Sequence, residues 1–197
     1  MNLNSIKIDK RLFKKQLRIY KTHYPEFLEE LKGIAKGGNF DENKTIYFFT
    51  TCEILYVKKL TKEACTIFGV KNENGIFVGR NYDWIPSAEK VFKIYKVKNP
   101  KVNTFLAITD MGITTKNIKP AKLFFFPEDI INDKGLFVGV TFAYGKKIKF
   151  GLSFAHLVKK IAENCSKVEE AIEIIKKAPL CFAKNFFIAD RFGNMVV

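Results

Sequence analysis

Cys65, Arg80 and Asp83 are the residues of this chain whose types and spacing could do chemistry together. Cys65 opens an apolar run from Thr66 to Lys71, and Arg80 and Asp83 close a second run that begins at Ile76. Between the runs lies Asn72-Glu73-Asn74-Gly75, a tight-turn sequence in which asparagine before glycine accepts positive φ angles. The spacing predicts an antiparallel hairpin, Thr66 to Lys71 against Ile76 to Tyr82, with a thiol, a guanidinium and a carboxylate brought to one end. Attack by a cysteine on an acyl carbonyl needs a thiolate, a base or cation that favours it, and donors for the oxyanion.

Histidine is the usual base, and the chain has two. His156 lies in the apolar helical run Phe154 to Val158 and His23 beside a helix boundary, positions that suit structural or surface roles. Cutting the peptide bond before Cys65 supplies another base, because an α-amino group titrates near about 8 and can take the thiol proton directly or through water. The nucleophile then carries its own base. Arg80 favours the thiolate or binds substrate through charge-assisted bonds, and Asp83 orients the amino group. The stretch before Cys65 becomes a propeptide, or a chain that stays bound after processing.

The elements that must position these groups follow from periodicity. Phe13, Leu17, Tyr20 and Tyr24 mark one face of a helix over 9–24, and Pro25 starts a second, with Phe27, Leu28, Leu31 and Ile34 as its apolar stripe, reaching about Ala35. Gly37-Gly38 is expected to stop it, and Asp41 to cap a third helix reaching about Glu53. From Cys65 the pattern switches to strands: the hairpin, then Val91 to Val97, Asn103 to Thr109, Leu123 to Phe126 and Gly135 to Phe142, the last introduced by a turn at Ile131 to Gly135. Helices are predicted over Ser153 to Asn164 and Val168 to Lys177, then strands over Phe182 to Ala189 and Met195 to Val197 around the turn Asp190 to Asn194. Helices, strands, a helix pair and strands again describe a layered α+β chain with a largely antiparallel sheet, not alternating βαβ units.

Composition narrows the class. With 197 residues, 47% hydrophobic and 14% aromatic, the chain can bury a sizeable core. Its apolar runs are far shorter than a membrane span and no signal sequence follows the early lysines, so a cytoplasmic protein is expected. The net charge of +14 comes from lysines scattered along every segment, with only four arginines, which reads as a solvated surface and not a nucleic-acid platform. Lysine and glutamate with abundant isoleucine also fit a thermophile's usage. Cys52, Cys65, Cys165 and Cys181 form no C-x-x-C pair, so neither a disulfide framework nor a metal site is indicated, and nothing calls for a cofactor.

Cys65 opening a strand, followed by Gly79-Arg80-Asn81-Tyr82-Asp83-Trp84, resembles the N-terminal nucleophile (Ntn) hydrolases of the choloylglycine hydrolase, acid ceramidase and penicillin acyltransferase group. The segment Tyr24 to Gly37 with Cys52-Glu53 is similar to the pro-segment of the isopenicillin-N acyltransferase-like branch. Asn132-Asp133-Lys134-Gly135-Leu136 resembles that group's N-E-K-G-L turn, and Asn185, Ala189-Asp190 and Gly193-Asn194 its N-x-x-x-A-D-x-x-G element. The resemblance covers about residues 20–197. It implies an αββα sandwich of largely antiparallel sheets, autocleavage between Ala64 and Cys65, Cys65 as nucleophile, Arg80 and Asp83 as its partners, and Asn185 as an oxyanion donor. Asn81 and Tyr82 support the hairpin or line the pocket. Where relatives often carry an asparagine after the N-E-K-G-L strand, this chain has Val140-Thr141-Phe142, which leaves Thr141 as a pocket residue.

The expected organisation is a helical pro-segment or small chain, 1–64, and an Ntn catalytic domain, 65–197, stopping short of the family's usual C-terminus. The expected function is autoprocessing and then hydrolysis or acyl transfer at an amide or thioester of a small acylated substrate through an acyl-enzyme. The alternative is a truncated, inactive relative serving as a binding module. Expected partners are the substrate and the retained pro-segment, with homo-oligomerisation left open.

Overall fold

A computed structural model describes residues 3–56, 64–83, 92–109, 126–143 and 148–197. The chain divides into two compact units. One comprises Met1–Thr61, Gly145–Ser153 and Ala178–Phe182, the other Lys62–Tyr144, Phe154–Lys177 and Ala183–Val197. Most of the strand read over Leu123 to Phe126 lies outside the described residues, and Phe126 itself is irregular.

The first unit is built on α1 (Lys10–His23), α2 (Pro25–Gly38) and α3 (Glu42–Tyr56). Asp9 caps α1 by accepting from the Leu12 N–H, and Asp41 does the same for Lys44. Gly37 and Gly38 do not stop α2; it runs through both, and Asn39 ends it in the left-handed region at φ 51°. In α3, Ile46 to Cys52 are all buried, so the helix has no polar face and shows almost no periodicity. Its threonines survive burial because Thr45, Thr50 and Thr51 bond to carbonyls one turn back. Two later stretches complete the unit, joined by a parallel bridge between Leu152 and Leu180. Buried Gln16 donates to the carbonyls of Thr50 and Gly151 and accepts from the Gly151 N–H, while the Tyr20 hydroxyl accepts from the Ser153 N–H. The N-terminal segment thus shares one core with residues beyond 144.

The second unit stacks helices, sheet and hairpin. β1 (Ala64–Asn72) and β2 (Gly75–Asp83) pair antiparallel from Asn72↔Gly75 to Ala64↔Asp83. Only Gly75 takes positive φ in this turn, at 127°; Asn74 does not, and its N–H is held by the Asn72 side chain. A six-stranded antiparallel sheet follows in sequential order: β3 (Lys93–Val97), β4 (Phe105–Thr109), β5 (Asp129–Asn132), β6 (Phe137–Phe142), β7 (Lys184–Ala189) and β8 (Met195–Val196). α4 (Phe154–Asn164) packs on β5 and β6, and α5 (Val168–Lys177) on β7. The face under the helices buries Tyr95, Phe105, Ala107, Ile130, Val138, Val140 and Ile188. The alternate residues face the hairpin, and Gly69 lets Phe187 and Met195 approach it closely. The architecture is an α+β sandwich of antiparallel sheets, with no fourth layer over Phe68, Val70 and Phe77 on the hairpin's outer face among the described residues.

β5 corrects the sequence reading, which treated Ile131 and Asn132 as part of a turn. Asn132 ends the strand and ties it to α4: its amide donates to the carbonyls of Ala162 and Cys165, and its oxygen accepts from the N–H groups of Lys134 and Leu136. Asp190 does the corresponding work for α5, accepting from the Val168 N–H and from Phe192 and Asn194. The two turn motifs are therefore joints between sheet and helix ends, each with its glycine at positive φ, Gly135 at 79° and Gly193 at 96°.

Candidate active site

Side chains alternate along a strand, and the cross-strand register fixes which of them share a face. Cys65 stands opposite Tyr82 and Ile67 opposite Arg80. All four lie on the half-buried inner face of the hairpin, towards β5, β6 and β7. Ala64, Asn81 and Asp83 occupy the outer, exposed face. The thiol and the guanidinium therefore meet as the spacing predicts, but the Asp83 carboxylate does not join them. Asp83 pairs with Ala64 across the strands and accepts from the Asn81 amide at 2.7 Å.

The carboxylate that reaches Arg80 belongs to Asp129, at the start of β5. Arg80 Nε donates to Asp129 Oδ2 at 2.9 Å, with the two side chains 11% and 5% exposed. Arg80 Nη1 donates to the Asn81 carbonyl at 3.1 Å, and the guanidinium carbon lies 4.9 Å from the centre of the Tyr82 ring. Tyr82 is held edge-on by Phe92. Tyr82 thus lines the site, whereas Asn81 contributes its backbone.

Thr141 and Asn185 are register partners on β6 and β7, on the sheet face that looks towards the hairpin. The Asn185 amide donates to Thr141 Oγ1 and to the Phe142 carbonyl, both at 3.2 Å. Both of its hydrogens are engaged, so an oxyanion would have to displace one of these acceptors.

Electrostatics define the state of the thiol. Burial pushes the Cys65 thiol above its ordinary range, outweighing the hydrogen bonding and charge of Arg80, with Glu128 adding to the rise and Lys184 opposing it. Burial also raises Asp129 against the pull of Arg80 and of the Val140 N–H. Cys65 in the uncut chain is therefore a protonated thiol at neutral pH and needs a base. His156 does not provide it: it is fully buried on α4, beneath the far face of the sheet, and burial followed by the Lys159 charge keeps it neutral. His23 ends α1 in the other unit. Among the described residues no group of His, Cys, Asp and Glu is placed to hold a metal ion.

Asp129 is the residue that sequence reasoning missed. No local signal singles it out: Glu128 and Asp129 stand side by side after Pro127, and the contact with Arg80 spans 49 positions.

The family model for acyl-coenzyme A:6-aminopenicillanic acid acyl-transferase matches residues 70–197. That range contains Arg80, Asp83, Asp129, Thr141 and Asn185 and begins after Cys65. A curated relative, the acyl-coenzyme A:6-aminopenicillanic-acid-acyltransferase 40 kDa form of Emericella nidulans, is 26% identical over 106 residues, 54% of this chain. The match spans 30% of that relative. A solved structure, penicillin V acylase from Agrobacterium tumefaciens, superimposes with a TM-score of 0.48 at 14% identity, covering 67% of this chain and 44% of that one.

Proposed function

The chain belongs to the acyl-coenzyme A:6-aminopenicillanic acid acyl-transferase family, and from that membership we propose an autoprocessing cysteine Ntn enzyme that hydrolyses or transfers the acyl group of a small amide or thioester. The observation that carries the reading is the inner face of the hairpin, where Cys65 and Arg80 sit together with a thiol that burial keeps protonated.

Cleavage between Ala64 and Cys65 frees an α-amino group on the residue that carries the thiol. That amine takes the thiol proton, and the thiolate, beside Arg80, attacks the acyl carbon. The Asn185 amide exchanges one of its acceptors for the developing oxyanion. The α-ammonium returns the proton to the departing amine, the C–N bond breaks, and a thioester on Cys65 remains. A leaving thiol is protonated in the same way when the substrate is a thioester. Water, deprotonated by the α-amine, resolves the thioester to an acid, and an incoming amine resolves it to a new amide. Asp83, opposite Ala64 in the register, anchors the α-ammonium. Tyr82 and Thr141 line the pocket.

Residues 1–64 remain bound after cleavage in this proposal, because Gln16 and Tyr20 bond to Gly151 and Ser153 within a single core. No described helix is long and apolar enough to cross a membrane. The test is a cysteine-directed acylating probe on purified protein, followed by mass spectrometry. An adduct on Cys65 that hydroxylamine removes supports the acyl-enzyme. No adduct on Cys65 in folded protein sinks the proposal and leaves the binding-module reading.

A further inference from the structure

We propose that Asp129 is a positioning residue: it holds the Arg80 guanidinium on the Cys65 thiol and takes up part of its positive charge. Its functional meaning rests on Cys65 being the nucleophile.

The arginine is fixed at two of its three nitrogens, Nε by Asp129 Oδ2 and Nη1 by the Asn81 carbonyl. Nη2 is buried and takes no hydrogen bond of ordinary geometry among the described residues, which leaves a spare donor next to a thiol that accepts once ionised. Asp129 is itself immobilised. Its side chain is 5% exposed, Oδ2 is bonded to Arg80 Nε, and Oδ1, which takes no hydrogen bond of ordinary geometry among the described residues, is wedged against Gly139 beside Ile67. Any Cβ at position 139 would collide with that oxygen, so glycine on β6 is what lets the carboxylate lie flat on the sheet. Sheet holds carboxylate, and carboxylate holds arginine. A buried guanidinium that shares its charge with a carboxylate favours a thiolate less than one standing alone. The charged groups acting on Cys65 are Arg80 on β2, Glu128 just before β5 and Lys184 on β7, with Asp129 acting through Arg80.

The experiment is the pH dependence of iodoacetamide alkylation of Cys65 in the full chain, identified by peptide mass; Cys52, Cys165 and Cys181 are buried. Asp129→Asn keeps an oxygen for Arg80 Nε and removes the charge. It is expected to move the alkylation midpoint down by about one pH unit, or about tenfold faster labelling near neutrality. Arg80→Gln moves the midpoint up, and the double variant titrates like Arg80→Gln alone. A midpoint unchanged by Asp129→Asn overturns the proposal, as does the same downward shift in the Arg80→Gln background. If Asp129→Asn does not fold while the double variant does, the arginine's uncompensated charge is the cause and the proposal stands. If neither folds, Asp129 is structural and the proposal falls. Alkylation is read with all variants in one processing state, checked by intact mass, so a chain that fails to cleave itself is not mistaken for a failure of the Asp129 proposal.

Discussion

The pairing of thiol and guanidinium was legible in the sequence because a hairpin is local: a turn signal and two short runs suffice to put Cys65 near Arg80. Asp83 was read together with them, but it lies an odd number of residues from Arg80 and strand alternation sends it to the opposite face. Asp129 was not, because its contact spans 49 positions and no local pattern encodes it. The Asn185 amide is expected to matter only when an oxyanion forms. Asn185→Ala should lower kcat by about 10²- to 10³-fold in an acyl-release assay and leave alkylation of Cys65 unchanged. His156 carries a different consequence. Burial, then Lys159, lowers its proton affinity below the ordinary 6.5. The unfolded chain therefore binds the proton more tightly, and the contribution to stability is complete above about pH 6.5 and lost as pH falls below it. Thermal melts should lose up to about 1.4 kcal/mol per pH unit there, a slope that a folded His156→Gln variant lacks.

At the scale of elements, helices with a clean apolar stripe were readable to within a residue or two, as α1 and α5 are. α3 was harder because a helix buried on all sides has no stripe to read, and β5 was harder still because four residues ending in an asparagine look like a turn. The physical reason for that asparagine is distant: Asn132, together with Asn103, caps α4, whose last carbonyls have no partners within the helix. Asn132→Ala and Asp190→Ala should each cost about 2 kcal/mol in denaturant unfolding, since the first leaves the buried Leu136 N–H and the second the buried Val168 N–H without its acceptor. A loss below a few tenths of a kcal/mol would show that these joints are not what holds the helices to the sheet.

For the whole molecule, the change from helices to strands between α3 and β1 was visible in the periodicity, whereas the way the N-terminal helices enclose 148–153 and 178–182 was not. That enclosure is made by side chains such as Gln16, whose partners lie 34 and 135 positions away. Fragments 1–64 and 65–197 are expected to co-migrate on size exclusion without denaturant, and Gln16→Ala to lower stability by about 2 kcal/mol through its unpaired buried partners. Separation of the native fragments would contradict the shared core. The proposed chemistry depends on Cys65 becoming an N-terminus. Intact mass measurement of the purified chain should show two species corresponding to residues 1–64 and 65–197, and a single uncut species for Cys65→Ala. A wild-type chain that stays whole under native conditions, indistinguishable from Cys65→Ala, would contradict it.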